Sequence, residues 1–110
     1  MAFEFNQVYD EENSVINIDM IGELDIYAAQ EFKNGVLDFY NKNKNDIDIN
    51  CENLSYIDST GLGSMIAILK EVKEDGNNIY ISNIKNNIRK LFKITKLDEL
   101  FKFRGEENVQ

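Results

Sequence analysis

The stretch IDSTGLGSMIAILK, Ile57 to Lys70, decides how the chain is read. Before it comes the alternating run DIDINC, Asp46 to Cys51, in which Ile47, Ile49 and Cys51 point one way and Asp48 and Asn50 the other. That is the pattern of a strand with one buried face, and ENLSY after it reads as a loop. Downstream, Leu62, Met65, Ile66, Leu69 and Val72 recur at helical spacing. The junction is therefore strand, loop and helix start, with Ser59 or Asp58 as the N-cap. A hydroxyl at a helix mouth lies beside unpaired backbone N–H groups and the positive end of the helix dipole. An anion is stabilised there without a basic side chain, so Ser59 is a place able to carry a phosphate.

Gly61 and Gly63 fall in the first helical turn, where each costs roughly 1 kcal/mol relative to alanine. A capping serine requires neither. Glycines at these positions would leave the hydroxyl uncovered and let another backbone approach. On a helical projection Gly63, Ser64 and Ala67 lie away from the Leu62/Met65/Leu69 stripe. The outward face near Ser59 is thus expected to be built of small residues, as a docking surface is, with Ile68 at its margin.

The strings SYIDSTGLGSM and GELDIYAA (Gly22 to Ala29) closely resemble those of the STAS-domain anti-sigma-factor antagonists, most of all the general-stress-response type. The resemblance extends over nearly the whole chain. It implies an α/β STAS fold, with a mixed four- or five-stranded sheet and helices mainly on one face. It implies that Ser59 is phosphorylated by a switch kinase that is also the anti-sigma factor, with Thr60 the second choice. A metal-dependent serine phosphatase, and ATP and magnesium for the partners, follow from the same likeness. Gly22 and Asp25 match the family's motif between the second strand and the first helix. The expected partner-binding residues are Asp25, Asp58, Ser59, Thr60, Gly61, Gly63, Ser64 and Ala67. Gly22 read on its own merely allows a turn, and Asp25 read on its own caps a helix. The competing function is a ligand-sensing or scaffold STAS module that is never phosphorylated.

Outward from this centre, Ala2 to Val8 and Ser14 to Ile21 read as a strand hairpin around the acidic turn Asp10 to Asn13, with Gly22 ending the second strand. A helix is expected from about Tyr27 to Tyr40, burying Ala29, Phe32, Val36 and Phe39. After the central helix, EDGNN is a turn and Ile79 to Ser82 a strand. Ile84 to about Thr95 carries Ile88, Leu91 and Phe92 at helical spacing. Leu97, Leu100, Phe101 and Phe103 supply a last short helical or extended segment that closes the core, and GEENVQ reads as a frayed tail. The alternation in Asp46 to Cys51 argues against a doubly wound sheet, whose central strands are apolar on both faces.

Composition narrows the function. The 110 residues carry 12 Lys and Arg against 20 Asp and Glu, a formal charge of -8, which disfavours a nucleic-acid surface. The basic residues Lys85, Arg89, Lys90, Lys93 and Lys96 sit along one late helix and its exit. One domain, 1–110, is expected at this length, monomeric by default. The lone cysteine, Cys51, reads as a buried small hydrophobe. With no disulfide framework, no apolar run of membrane length and no signal pattern in MAFEFNQVYDEEN, the expected location is the cytoplasm.

The absence of histidine removes every Ser-His triad and the commonest metal ligand. No Cys/His cluster suits zinc, and Gly61-Leu62-Gly63 lacks the P-loop lysine. A nucleophile elbow would need glycine where Ile57 stands. A phospho-aspartate at Asp58 would need cation-holding acids at the end of the first strand, which Phe3 to Val8 does not provide. The chain is expected to be no enzyme, with no catalytic residue, metal or cofactor of its own.

Overall fold

The computed structural model describes residues 2–105. Two strands, β1 (Phe3–Asp10) and β2 (Val15–Leu24), form the antiparallel hairpin that the alternation predicts. Helix α1 (Ala29–Lys42) then leads to β3 (Asp46–Ile57), α2 (Ser59–Glu74), β4 (Ile79–Ser82) and α3 (Asn86–Ile94). A single 3₁₀ turn, Leu97–Glu99, precedes a short edge strand, β5 (Lys102–Arg104). The sheet order is β1-β2-β3-β4-β5, with every pair after the hairpin parallel. Parallel neighbours need a crossover, and α1, α2 and α3 supply it.

Strand alternation places the core on one face. Ile18, Ile49, Ile81 and Phe103 lie opposite one another across four successive strands. Ile16, Met20, Ile47, Cys51 and Ile79 complete the same buried layer. Phe32, Val36 and Tyr40 of α1, Met65, Ile68, Leu69 and Val72 of α2, and Ile88 and Phe92 of α3 all belong to the cluster above it. The other sheet face is polar. Asn50 Nδ2 donates to Asp19 Oδ1, Ser82 Oγ donates to Asp48 Oδ1, and Arg104 pairs with Asp48 at 3.1 Å. This is the one-sided, mixed α/β sheet expected, in its five-stranded form. Cys51 is buried as expected, and burial pushes its thiol pKa up to about 12, leaving it protonated and inert.

Several boundaries differ from expectation. ENLSY is not a loop, because β3 continues through it to Ile57, paired with an equally extended β2 up to Leu24↔Ile57. Cys51, Leu54 and Ile57 are buried at intervals of three, which hides the strand from a period of two. The cause is a pair of register shifts around Asp19/Ile21 and Gly22/Glu23. Gly22 accordingly does not end β2. It sits inside the strand at φ 99°, where a Cβ would stand 2.2 Å from the Ala2 carbonyl oxygen. Only glycine fits there.

Helix α1 begins at Ala29, not Tyr27, because Asp25 first forms a turn: its carbonyl accepts from Ala28 and Ala29 N–H. Tyr40, not Phe39, closes the buried stripe of α1, with Phe39 only half-buried. Helix α3 is shorter than Ile84 to Thr95, and its Leu91 is exposed. Leu100 is exposed as well, so it does not help to close the core. Phe101 does, edge-on to Phe92. Of GEENVQ, only Gly105 falls within the described residues.

Tyr40 explains why a tyrosine ends that stripe. Its hydroxyl donates to Asp75 Oδ2 at 2.8 Å and accepts from Asn77 Nδ2 at 2.9 Å, tying α1 to the exit of α2. Burial, then the Asp75 carboxylate, raises its pKa to about 12. The native state therefore holds this proton more tightly than the unfolded chain. Its contribution to stability is complete below pH 10 and is lost as pH rises through 12. Tyr40→Phe is expected to lower the unfolding free energy by about 1 kcal/mol at pH 7 and to flatten the alkaline fall. Urea titrations of both proteins at pH 8 and pH 11 measure this, and parallel pH profiles would refute it.

Candidate partner-binding site

The site is the pole where β2 and β3 end and α2 begins. Asp58, not Ser59, is the N-cap of α2: its backbone is extended, and Oδ1 accepts from Gly61 N–H at 2.8 Å. Its second oxygen, Oδ2, accepts from Ile26 N–H at 3.1 Å. One carboxylate thus fastens the Asp25–Ala28 turn to the helix mouth. Asp25 acts locally in the same turn, with Oδ1 accepting from Tyr27 N–H at 3.0 Å and Ala28 N–H at 3.2 Å. These bonds hold the GELD segment and the DSTG segment as a single rigid surface.

Ser59 is the first residue of α2 and is exposed, as is Thr60. Asp58 takes the Gly61 and Leu62 N–H groups through its side chain and carbonyl. The N–H groups of Ser59 and Thr60 have no acceptor among the described residues. The hydroxyl therefore stands in solvent beside two open donors, where the first turn stabilises negative charge.

The rest of the predicted face divides in two. Gly63 is exposed, a Cβ added there would meet nothing within 4 Å, and Ala67 is half-exposed. Gly61 and Ser64, expected on this outward face, are instead buried. A Cβ on Gly61 would stand 2.2 Å from the Leu24 carbonyl oxygen and 2.8 Å from Ile57 Cγ1. Gly61 is therefore a packing glycine that lets α2 press onto the end of β2. Ser64 is 7% exposed, and its hydroxyl donates back to the Gly61 carbonyl at 2.6 Å. Ile68, expected at the margin, is fully buried, while Ile66 of the expected core stripe is only half-buried. The reason is that α1 packs along the flank of α2, so the buried arc is wider and rotated from the one a lone sheet contact would produce.

Two large residues with no role expected from the sequence lie on the turn that Asp58 and Asp25 pin. Ile26 is 61% and Tyr27 92% exposed, an uncommon exposure for large side chains on a turn pinned by hydrogen bonds. Their signal in the sequence is the pair of large apolar residues directly after GELD, where a turn would ordinarily be polar.

With this geometry in place, the likenesses to known proteins become specific. The STAS domain profile matches residues 6–109. An anti-sigma-B factor antagonist of Staphylococcus epidermidis is 37% identical over 79 residues, 72% of this chain and 73% of that protein. Its counterpart in Staphylococcus aureus is 38% identical over the same shares. The chain belongs to the STAS-domain family of anti-sigma-factor antagonists. Among solved structures, a candidate anti-sigma factor antagonist of Thermotoga maritima superposes with a TM-score of 0.80 at 28% identity, covering 92% of this chain and 84% of that one. The Bacillus cell-fate determinant SpoIIAA, solved in its phosphorylated form, superposes at a TM-score of 0.70, covering 97% and 95%. At 24% identity that last likeness speaks for the fold alone. Among the described residues, no helix is long and apolar enough to cross a membrane.

Proposed function

We propose that this chain is a phosphorylation-controlled anti-sigma-factor antagonist acting as a single, non-enzymatic domain in the cytoplasm. In its unphosphorylated form it binds an anti-sigma factor that is also a serine kinase, and so frees the sigma factor. The kinase transfers the γ-phosphoryl group of ATP to Ser59 Oγ, releasing ADP and the hydroxyl proton. A metal-dependent phosphatase restores the hydroxyl by hydrolysis.

The observation that carries this reading is the exposed Ser59 hydroxyl at the first position of α2, within a pole already held rigid by Asp58. The curated relatives named as anti-sigma-B factor antagonists support the same partner class. The exposed components of the proposed binding face are Ser59, Thr60 and Gly63, with Asp25, Asp58 and Ala67 part-exposed. Gly61 and Ser64 act from beneath it. Phosphate adds about -1.5 to -2 charge and three acceptor oxygens at its centre. The helix mouth accommodates that charge. A closely packed partner does not, because a desolvated phosphate without a cation is expensive. Switching therefore needs little refolding.

The test is incubation with the cognate switch kinase and ATP, read by intact mass. One added phosphate on wild type and none on Ser59→Ala is the expected result. Phosphate on Ser59→Ala would move the acceptor to Thr60 or elsewhere. A small molecule that copurifies, with no phosphate uptake, would replace this reading with the ligand-sensing one.

A further inference from the structure

Residues 85–104 hold seven of the chain's 12 basic side chains but only two, Asp98 and Glu99, of its 20 acids. Three of the seven serve the fold. Arg89 pairs with Asp98 at 3.8 Å and lies over the Phe103 ring. Arg104 pairs with Asp48 and lies over Tyr80, and Lys85 donates to the Glu52 carbonyl. The other four, Lys90, Lys93, Lys96 and Lys102, are exposed. In the same segment three large aliphatic side chains are left in water: Leu91, Ile94 and Leu100, with Ile94 75% exposed. Leu91 and Ile94 share a face one helical turn apart, whereas Ile88 and Phe92 of the same helix face the core. An aliphatic centre set among lysines is the composition of a docking face. A complementary surface exists on the same chain. At the β1 edge of the sheet an open groove of about 460 Å³ runs along the start of α1. Phe3, Phe5 and Phe32 pack ring against ring along it, and the exposed Tyr27 stands beside them. Every charged residue that lines it, Glu4, Asp25 and Glu31, is acidic.

We propose that these two surfaces bind each other between copies of this chain, head to tail. Leu91 and Ile94 of one molecule enter the aromatic groove of the next, and the lysines around them meet its carboxylates and the face of Tyr27. Charge complementarity chooses the occupant. A symmetric pairing would set lysines against lysines or carboxylates against carboxylates, and only the head-to-tail arrangement brings opposite charges and two apolar centres together. The α3 face belongs to the β4–β5 side of the sheet and the groove to its β1 edge. One molecule therefore uses both at once, and the contact propagates as an open chain. Nucleic acid is a poorer match, because the two arginines able to grip phosphate in a fork are already engaged. The inference stands apart from the phosphorylation reading, since it involves no other protein. Asp25 and Tyr27 lie on the turn that Asp58 fastens, so a copy seated in the groove occupies the edge of that pole.

The test is sedimentation velocity of the full chain from micromolar to millimolar concentration. The average mass of wild type is expected to climb with concentration, without a plateau at two copies, and to fall back in high salt, which screens exposed charge contacts. Lys90→Glu combined with Lys93→Glu should weaken self-association about tenfold or more, and so should Glu4→Lys combined with Glu31→Lys. Ile94→Gln, which removes only apolar contact, should weaken it as well. All five side chains are exposed, so the variants should melt close to wild type. Mixing the two double variants should restore association, because the intact groove of one meets the intact lysines of the other and the reversed charges again oppose. Both variants keep a net negative charge, so bulk attraction would not produce this. A wild type that stays monomeric, a symmetric dimer that stops at two copies, or a mixture that stays apart overturns the proposal. Wild-type association in Ile94→Gln would overturn the seating of α3 in the groove. Binding of wild type to vesicles of anionic phospholipid, lost in the α3 double variant and without self-association, would give the α3 face to a bilayer instead.

Discussion

Ser59→Asp is expected to fold as wild type does and to bind the anti-sigma kinase more than a hundredfold more weakly. The two halves of this result have separate physical causes. Ser59 is the first residue of α2, and acidic side chains in a first turn interact favourably with the helix dipole by about 0.3–1 kcal/mol. Its side chain is exposed and makes no hydrogen bond within the described residues, so replacing it removes nothing from the core. At the proposed interface the same carboxylate would be dehydrated beside Asp58, whose own oxygens are already engaged with Gly61 and Ile26 N–H. A desolvated, unpaired charge costs several kcal/mol, and about 3 kcal/mol already exceeds a hundredfold in affinity. Thermal melts and calorimetric titration check the two halves independently. Tight binding by Ser59→Asp would mean that the partner does not close over this hydroxyl.

The second large effect separates two glycines that look equivalent in DSTGLG. Gly61→Ala is expected to destabilise the protein by about 2–3 kcal/mol, in the upper range for overpacking a filled site. The added methyl would meet the Leu24 carbonyl at 2.2 Å, and neither a strand end nor a helix mouth yields easily. Gly63→Ala is expected to do the opposite. Nothing lies within 4 Å of its Cβ position, so the alanine relieves the helical cost of glycine and stabilises by about 0.5–1 kcal/mol. If the Gly63 face closes against a partner, the same methyl weakens binding although the protein is more stable. Chemical denaturation and kinase affinity for both variants read this pair of signs. Equal destabilisation by the two alanines would contradict the packing described for α2.

The origin of that asymmetry marks where sequence reasoning stops. Helix α2 was legible from Leu62, Met65, Leu69 and Val72, and the hairpin, the one-sided sheet and the placement of Cys51 from strict alternation. These features depend on local periodicity, which a chain carries wherever it is read. The exposed hydroxyl of Ser59 was legible for the same reason, since a helix start after a strand end places that residue at the rim. Ser64 and Gly61 were not legible. Their burial depends on α1 lying along the flank of α2 and on β2 running past Gly22 to Leu24, neither of which the helix's own residues encode.

The extension of β3 through ENLSY was hidden likewise, because register shifts against β2 turn a period of two into a period of three. Asp58 shows the same division within one side chain. Its cap to Gly61 could be anticipated from three residues of sequence, but its bond to Ile26, 32 positions away, arises only once β2 and β3 lie side by side. Local spacing determined the elements, the core side of each strand and the residue presented at the helix mouth. Tertiary packing decided which small residues face a partner and which face α1 and β2, because that choice depends on the distance between backbones remote in the chain.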